Sequence, residues 1–499
     1  MLSLAEVGLV LFGVFLVYQL FISRTRKNFP PGPRGYPIIG NLFDMPSGDE
    51  VFVWAKWRER WGPLNSVTTL GQTIVVANSY QKAIELCDKK SSIYSERAPM
   101  PMAGELVGWK ENLAFRPYGK EFRYGRRVYH QEFGNNVSLE KFQPAQDTEA
   151  CKFLKNLLDK PTDFIKLSAG IAGAMSMRTA YGYEKVDLDF ITLVNRVMDT
   201  AGVAAAPNSF MVNMVPWLLN IPSWFPGAGF KKIAAKWRHE LLTMNQIPWD
   251  FVKSQVAAGT ALDSFSSRLL REVKSAEDEN YIKWLAAGIL VGGTDTSYGT
   301  ILSFFLAMVH NPEVQRKAQA EIDAVVGTDR LPTYADRPHL PYVESLKKEI
   351  YRCFVVGPLG IPHMSNADDV HDGYFIPKGA ILFTNIWLIA HDPDVYTRPM
   401  DFYPERYLGP NPQQDPMDFA FGFGRRICPG RYLADAAVWI TMAKLLAAFN
   451  VLPPVKNGKS YIPPIEMTPG LVSHPKDFDA IVVPRSVKAV ALINASVDQ

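Results

Sequence analysis

The segment from Tyr281 to Val309, closed by His310-Asn311-Pro312, is apolar over too great a length to lie on a protein surface. A surface helix would interrupt such a run with a polar stripe. The segment therefore predicts a helix through the middle of a domain, with the rest of the chain packed around it. It does not read as a membrane span, because it carries Lys283, Asp295 and several hydroxyls and begins just after the charged run Arg271 to Glu279. Its centre, Gly292-Gly293-Thr294-Asp295-Thr296-Ser297, is a weak point. Each glycine costs about 1 kcal/mol relative to alanine in a helix interior, and Thr and Asp are poor helix formers there. A fold that tolerates this does so for some other reason.

Amphipathic patterns predict further helices over Ser138 to Leu158, Phe230 to Gln255, Pro312 to Val326, Pro341 to Phe354 and Arg431 to Phe449. Leu64 to Ala77, around the turn-like Gly71-Gln72, predicts a small β-hairpin, and Tyr374 to Phe383 another strand pair. The fold class is mainly α with a minor β part. No linker, internal repeat or low-complexity tract interrupts the chain after its first residues, so one domain over 37–499 is the simplest reading. With 53 basic against 50 acidic residues the chain has no footprint for nucleic acid.

The N-terminus is different. Leu2 to Ile22 is nearly all apolar and close to the ~20 residues that cross a bilayer, with no basic region before it and no A-x-A-like cleavage site after it. Residues 1–23 are thus expected to be a transmembrane anchor rather than a secretory signal. Arg24, Arg26 and Lys27 follow at once, which puts the remainder of the chain on the cytosolic side by the positive-inside rule. Pro30-Pro31-Gly32-Pro33 then stops any helix, making 24–36 a basic and proline-rich hinge.

The four cysteines, Cys87, Cys151, Cys353 and Cys428, form neither a CxxC pair nor a zinc spacing. Only Cys428 has unusual surroundings. Phe421-Gly422-Phe423-Gly424-Arg425-Arg426-Ile427-Cys428-Pro429-Gly430 is a glycine-rich loop that delivers one cysteine to the start of a helix. Backbone N–H groups and the positive helix end stabilise a thiolate there, as an iron ligand or a nucleophile requires.

This decapeptide resembles the haem-binding signature FxxGxRxCxG of the cytochrome P450 family at every fixed position. Other marks of the family stand in order: the apolar N-terminus and PPGP hinge, the motif at Gly292 to Ser297, Glu349-x-x-Arg352, and Pro404-Glu405-Arg406-Tyr407. The resemblance extends over nearly the whole chain and is strongest to microsomal monooxygenases of fungal secondary metabolism. It implies the P450 fold behind a transmembrane helix, an endoplasmic reticulum location, and haem b with Cys428 on the iron. It further implies Asp295 and Thr296 as a proton-delivery pair, with Gly292 and Gly293 letting the helix pass close to the oxygen site. Glu349, Arg352 and Arg406 become a buried structural trio. Arg126, His363 and Arg426 match the positions that hold haem propionates, and Phe421 and Gly430 belong to the haem loop. One position departs: Phe122 stands where the family usually has a tryptophan, so an indole N–H donor is missing.

The function implied is insertion of one oxygen atom from O2 into a small apolar molecule such as a terpenoid, polyketide or alkaloid. Electrons would come from NADPH through a flavin-containing reductase. The alternatives are a reductase-independent haem-thiolate isomerase or dehydratase, and a non-catalytic haem or lipid carrier. Retention of Asp295-Thr296 speaks against both.

Overall fold

The computed structural model describes residues 8, 12–15, 28–46, 50–184, 188–206 and 209–497. The expected anchor over 1–23 lies outside the described residues apart from 8 and 12–15. Among the described residues, no helix is long and apolar enough to cross a membrane. The chain groups into two compact units, residues 1–98, 359–389 and 423–426 in the first and 99–358, 390–422 and 427–499 in the second. Each is assembled from separate stretches of chain, so no linker marks their boundary, and the sequence reads as one domain.

The first unit is built on a five-stranded sheet in which Leu64–Thr69, Gln72–Ala77, Ile381–Thr384, His363–Met364 and Glu96–Arg97 lie side by side in that order. The expected hairpin is present: β1 (Leu64–Thr69) and β2 (Gln72–Ala77) pair antiparallel, joined by Leu70-Gly71 with φ of 47° and 88°. Positive φ at both central residues is the turn whose twist matches that of paired strands. β3 (Glu96–Arg97) pairs with β4 (His363–Met364), which sets Arg97 opposite His363. Trp54, from the helix Glu50–Trp61, covers Val67, Ile74 and Val76 to form a small core.

The expected pairing within Tyr374 to Phe383 is not what forms. A tight turn at Asp372-Gly373, with φ of 52° and 78°, joins β5 (Asp369–His371) to β6 (Tyr374–Ile376). After Pro377-Lys378-Gly379, β7 (Ile381–Thr384) leaves for the larger sheet, where it runs parallel to β2 and antiparallel to β4. The two-residue turn lies before Tyr374, so that is where the local hairpin closes.

The second unit is helical. Its principal helices are α1 (Lys120–Phe133), α2 (Gln143–Asp159), α3 (Phe164–Tyr181), α4 (Leu188–Ala205), α5 (Gly229–Ala258), α6 (Ala276–His310), α7 (Pro312–Val325), α8 (Pro341–Cys353) and α9 (Arg431–Ala448). A strand pair, β8 (Phe449–Leu452) with β9 (Ile481–Pro484), follows α9. The helix predicted from Ser138 begins instead at Gln143. Pro144 has no N–H to bond the preceding turn, so the short helix Asn136–Leu139 ends and a new one starts with proline in its first turn.

The long apolar segment is the 35-residue helix α6. It starts earlier than Tyr281 because Ser275 caps it by accepting the Asp278 N–H, and Glu277, Asp278 and Glu279 suit the positive end of the helix. Its two halves serve two cores. Ile282 to Val291 pack among α1, α3, α4 and α5, while Ile301 to Val309 pack among α2, α3, α7, α8 and α9. Gly292 to Thr300 lies between them. Its buried hydroxyls bond back to carbonyls one turn earlier, Thr294 to Leu290 at 2.7 Å and Thr300 to Thr296 at 2.9 Å.

Candidate active site

The glycine pair of the central helix divides its roles. A Cβ at Gly293 would come within 2.5 Å of Ser176 Oγ on α3, so this glycine lets two helices close on each other. A Cβ at Gly292 would meet nothing within 4 Å. The expectation that both glycines open the helix toward the chemistry is therefore corrected, since Gly293 is consumed by packing.

Asp295 and Thr296 follow on the same helix and are half-buried. Burial raises the Asp295 carboxyl above the usual carboxylate range, with His474 opposing that shift and Asp199 adding to it. Thr296 donates its hydroxyl proton to the Gly292 carbonyl at 2.7 Å. That is the ordinary bond of a helical threonine, and it leaves the hydroxyl oxygen able to accept from another donor.

Cys428 lies two residues before Gly430, the N-terminal cap of the 18-residue helix α9. The loop is held from within. Cys428 N–H donates to the Phe421 carbonyl at 2.7 Å, and the Phe421 ring meets Tyr351 of α8 edge-on at 5.4 Å. Arg126, from α1, donates to the Ile427 carbonyl at 2.5 Å. Burial pushes the Cys428 thiol up, while the Gly430 N–H, Arg126 and Arg431 pull it down. These last three are the groups that stabilise a thiolate. α1 also carries Phe122, which is buried in the core against Tyr118 at 5.4 Å.

In the first unit, Arg97, His363 and Arg426 come together although they are far apart in the chain. Arg426 Nε donates to the Ser95 carbonyl at 2.8 Å, and Arg97 Nη1 to the Ile361 and Pro362 carbonyls at 2.6 and 2.9 Å. His363 Nδ1 lies 2.6 Å from the Tyr94 carbonyl and donates to it, since a carbonyl can only accept. Burial, then Arg97, holds the His363 ring down to about 3, with Arg426 adding to that and the bond to Tyr94 opposing it. Burial and the neighbouring Arg426 likewise lower Arg97 to about 9. Two buried guanidiniums beside a neutral imidazole, one of them depressed by the other, suit an anionic ligand. Gly424 makes room for the loop here, at φ 56°, because a Cβ would fall 1.9 Å from the Cys87 carbonyl oxygen. Arg97 was missed in the sequence, where Ser95-Glu96-Arg97-Ala98 has no motif and only pairing with β4 puts it opposite His363.

Glu349, Arg352 and Arg406 do meet, fully buried. Glu349 takes Arg352 Nε and Nη2 at 2.8 Å each, Arg406 Nε at 3.0 and 3.1 Å, the Tyr403 N–H at 2.7 Å and the Tyr407 hydroxyl at 3.1 Å. The arginines use their other N–H groups on the carbonyls of Ala390, Thr397, Arg398, Pro399 and Asp401. This cluster fastens the segment 390–406 onto α8.

Comparison with known proteins agrees with this arrangement. The cytochrome P450 family model matches residues 30–482. The chain is 45% identical to cytochrome P450 monooxygenase 208 of Postia placenta, over 97% of this chain and 96% of that one. It is 42% identical to cytochrome P450 monooxygenase claR of Ampulloclitocybe clavipes, over 98% and 92%, and 37% identical to the multifunctional cytochrome P450 monooxygenase af510 of Aspergillus fumigatus, over 99% and 95%. A match that runs from the proline hinge past the cysteine loop, with curated relatives aligned nearly end to end, shows that this chain belongs to the cytochrome P450 family and is a monooxygenase.

Proposed function

We propose that the enzyme holds haem b through Cys428 and inserts one atom of O2 into an apolar secondary metabolite, with electrons passed from NADPH by a flavin-containing reductase. The observation that carries this is the Cys428 sulfur, set just before α9 in a loop pinned by the Phe421 carbonyl and Arg126, where the Gly430 N–H, Arg126 and Arg431 oppose the burial that raises the thiol. That donor set would suit a thiolate that holds haem iron. Haem iron so bound supplies the oxygen chemistry, because a thiolate pushes electron density toward O–O cleavage where histidine would favour reversible binding.

The chain's own residues do the rest. Arg97 and Arg426, with the neutral His363 beside them, form one set for carboxylates, and Arg126 is a further cation. His363 carries its proton on Nδ1 toward Tyr94, so its Nε2 donates only after the ring takes up a second proton, which a carboxylate beside it would favour. With phenylalanine at position 122, that position contributes apolar surface and no donor. Thr296 Oγ1 can orient a water, and Asp295, whose raised proton affinity keeps it a willing donor, can resupply the proton.

Positioned proton transfer is worth about 10²–10⁴-fold. Thr296→Ala is accordingly expected to keep the haem and bind substrate, yet to form several-fold less product per NADPH consumed, with peroxide making up the difference. The assay uses 18O2 with and without the reductase. Label in the product only with reductase and NADPH supports the function, product formed without reductase contradicts it, and equal coupling in wild type and variant removes Thr296 from proton delivery.

α1 turns Phe122, Gly125 and Tyr129 inward and leaves Lys120, Arg123 and Arg127 exposed, a basic strip suited to an acidic redox partner. Rim charges act mainly on association rate and its salt dependence. Reversing Lys120 and Arg127 to glutamate should slow reduction of the haem and flatten its response to ionic strength. An unchanged rate at low and high salt would place the reductase elsewhere.

We further propose a single-pass anchor at 1–23 in the endoplasmic reticulum membrane, with the catalytic part cytosolic. The apolar run and the basic residues after it support this, as do exposed Met211, Trp217, Trp224 and Phe225 in the second unit, side chains suited to a membrane interface. The sequons at Asn136 and Asn494 should then carry no sugar when the full chain is expressed in a eukaryotic cell. Glycan on either asparagine would reverse the orientation.

A further inference from the structure

Lys444 of α9 is buried, with 2% of its surface exposed, and its ammonium does not point into solvent. It lies 3.0 Å from Cys151 Sγ and 2.8 Å from Asp147 Oδ1, both on α2, and the thiol is 3.9 Å from the other Asp147 oxygen. Cys151 is 5% exposed and Asp147 is 36% exposed, so the triad has one edge open to small solutes. An ion pair alone would need no sulfur at hydrogen-bonding distance from the nitrogen, and a small apolar residue would serve the packing of α2 against α9 equally well. We propose that Cys151 and Lys444 are a peroxide-responsive covalent switch that ties α2 to α9.

The chemistry balances with hydrogen peroxide as the only oxidant. Peroxide takes the Cys151 thiol to a sulfenic acid and leaves as water, a two-electron oxidation of sulfur. Asp147 accepts a proton from the Lys444 ammonium, and the free amine attacks the sulfenic sulfur. The S–N bond forms as the S–O bond breaks, a second water departs, and a sulfenamide remains. Sulfenic acids condense with nitrogen in this way and are recovered by thiols. The tie would hold α9, the helix that begins at the Cys428 loop, against α2.

The test treats the purified full-length haem protein with sub-bleaching hydrogen peroxide, blocks free thiols, and analyses the digest by mass spectrometry without reductant. Expected is one cross-linked pair of peptides joining Cys151 to Lys444, with a mass two hydrogen atoms below the sum of its parts. Dithiothreitol should release it, Cys151→Ser and Lys444→Arg should lack it, and Asp147→Asn should form it more slowly. Cys151 left as a thiol, carried on to sulfinic acid with Lys444 free, or joined to another residue would overturn the proposal. The wild-type digest alone decides between these results, so the outcome does not depend on the variants folding.

Discussion

Glu349→Ala is expected to leave almost no folded haem protein. The carboxylate neutralises two arginines that share its burial, and it accepts the Tyr403 N–H and the Tyr407 hydroxyl as well. Removing one member of a buried ion cluster strands the others, at about 3–5 kcal/mol. Whole-domain stabilities are only about 5–15 kcal/mol. The loss therefore takes much of the margin, and it unfastens 390–406, the segment that leads toward the cysteine loop. Lys476→Met is the contrast. Its partner Glu466 lies 2.9 Å away, but both side chains are more than half exposed, and such pairs contribute about 1 kcal/mol or less. Denaturant unfolding of the two variants, with haem content read in parallel, checks the difference. Wild-type stability and haem content in Glu349→Ala would show that the cluster is ornamental.

What the sequence made legible, and what it did not, follows from the range of the forces involved. α7, α8 and α9 were readable to within a residue or so because period, proline starts and terminal residues are local signals. Glu349 and Arg352 were readable as helix neighbours, whereas their burial with Arg406 came only from family resemblance, since nothing local tells a buried pair from a surface one. The cysteine loop was readable because its glycines, arginine and cysteine stand in one stretch. Arg97 was not, because its place beside His363 and Arg426 depends on a strand pairing between distant segments. Gly293 was misjudged for the same reason: a glycine freed for ligand approach and one freed for helix packing look alike until Ser176 is seen beside it. The β5–β6 hairpin was misplaced because Asp372-Gly373 outweighs the apolar pattern that follows it.

The second large effect is expected at the sulfur of Cys428. Serine or histidine at this position removes the thiolate while leaving the Phe421 carbonyl bond, Arg126 and the start of α9 available to the loop. The oxygen-cleaving push should be lost with it, and product formation should fall to background even in protein that still contains haem. The most direct measurement is the absorption spectrum of the reduced, carbon-monoxide-treated protein. Wild type is expected to show the strongly red-shifted Soret band of a thiolate ligand, and Cys428→Ser and Cys428→His to lack it. The same red-shifted band in either variant would contradict the assignment of Cys428 to the iron.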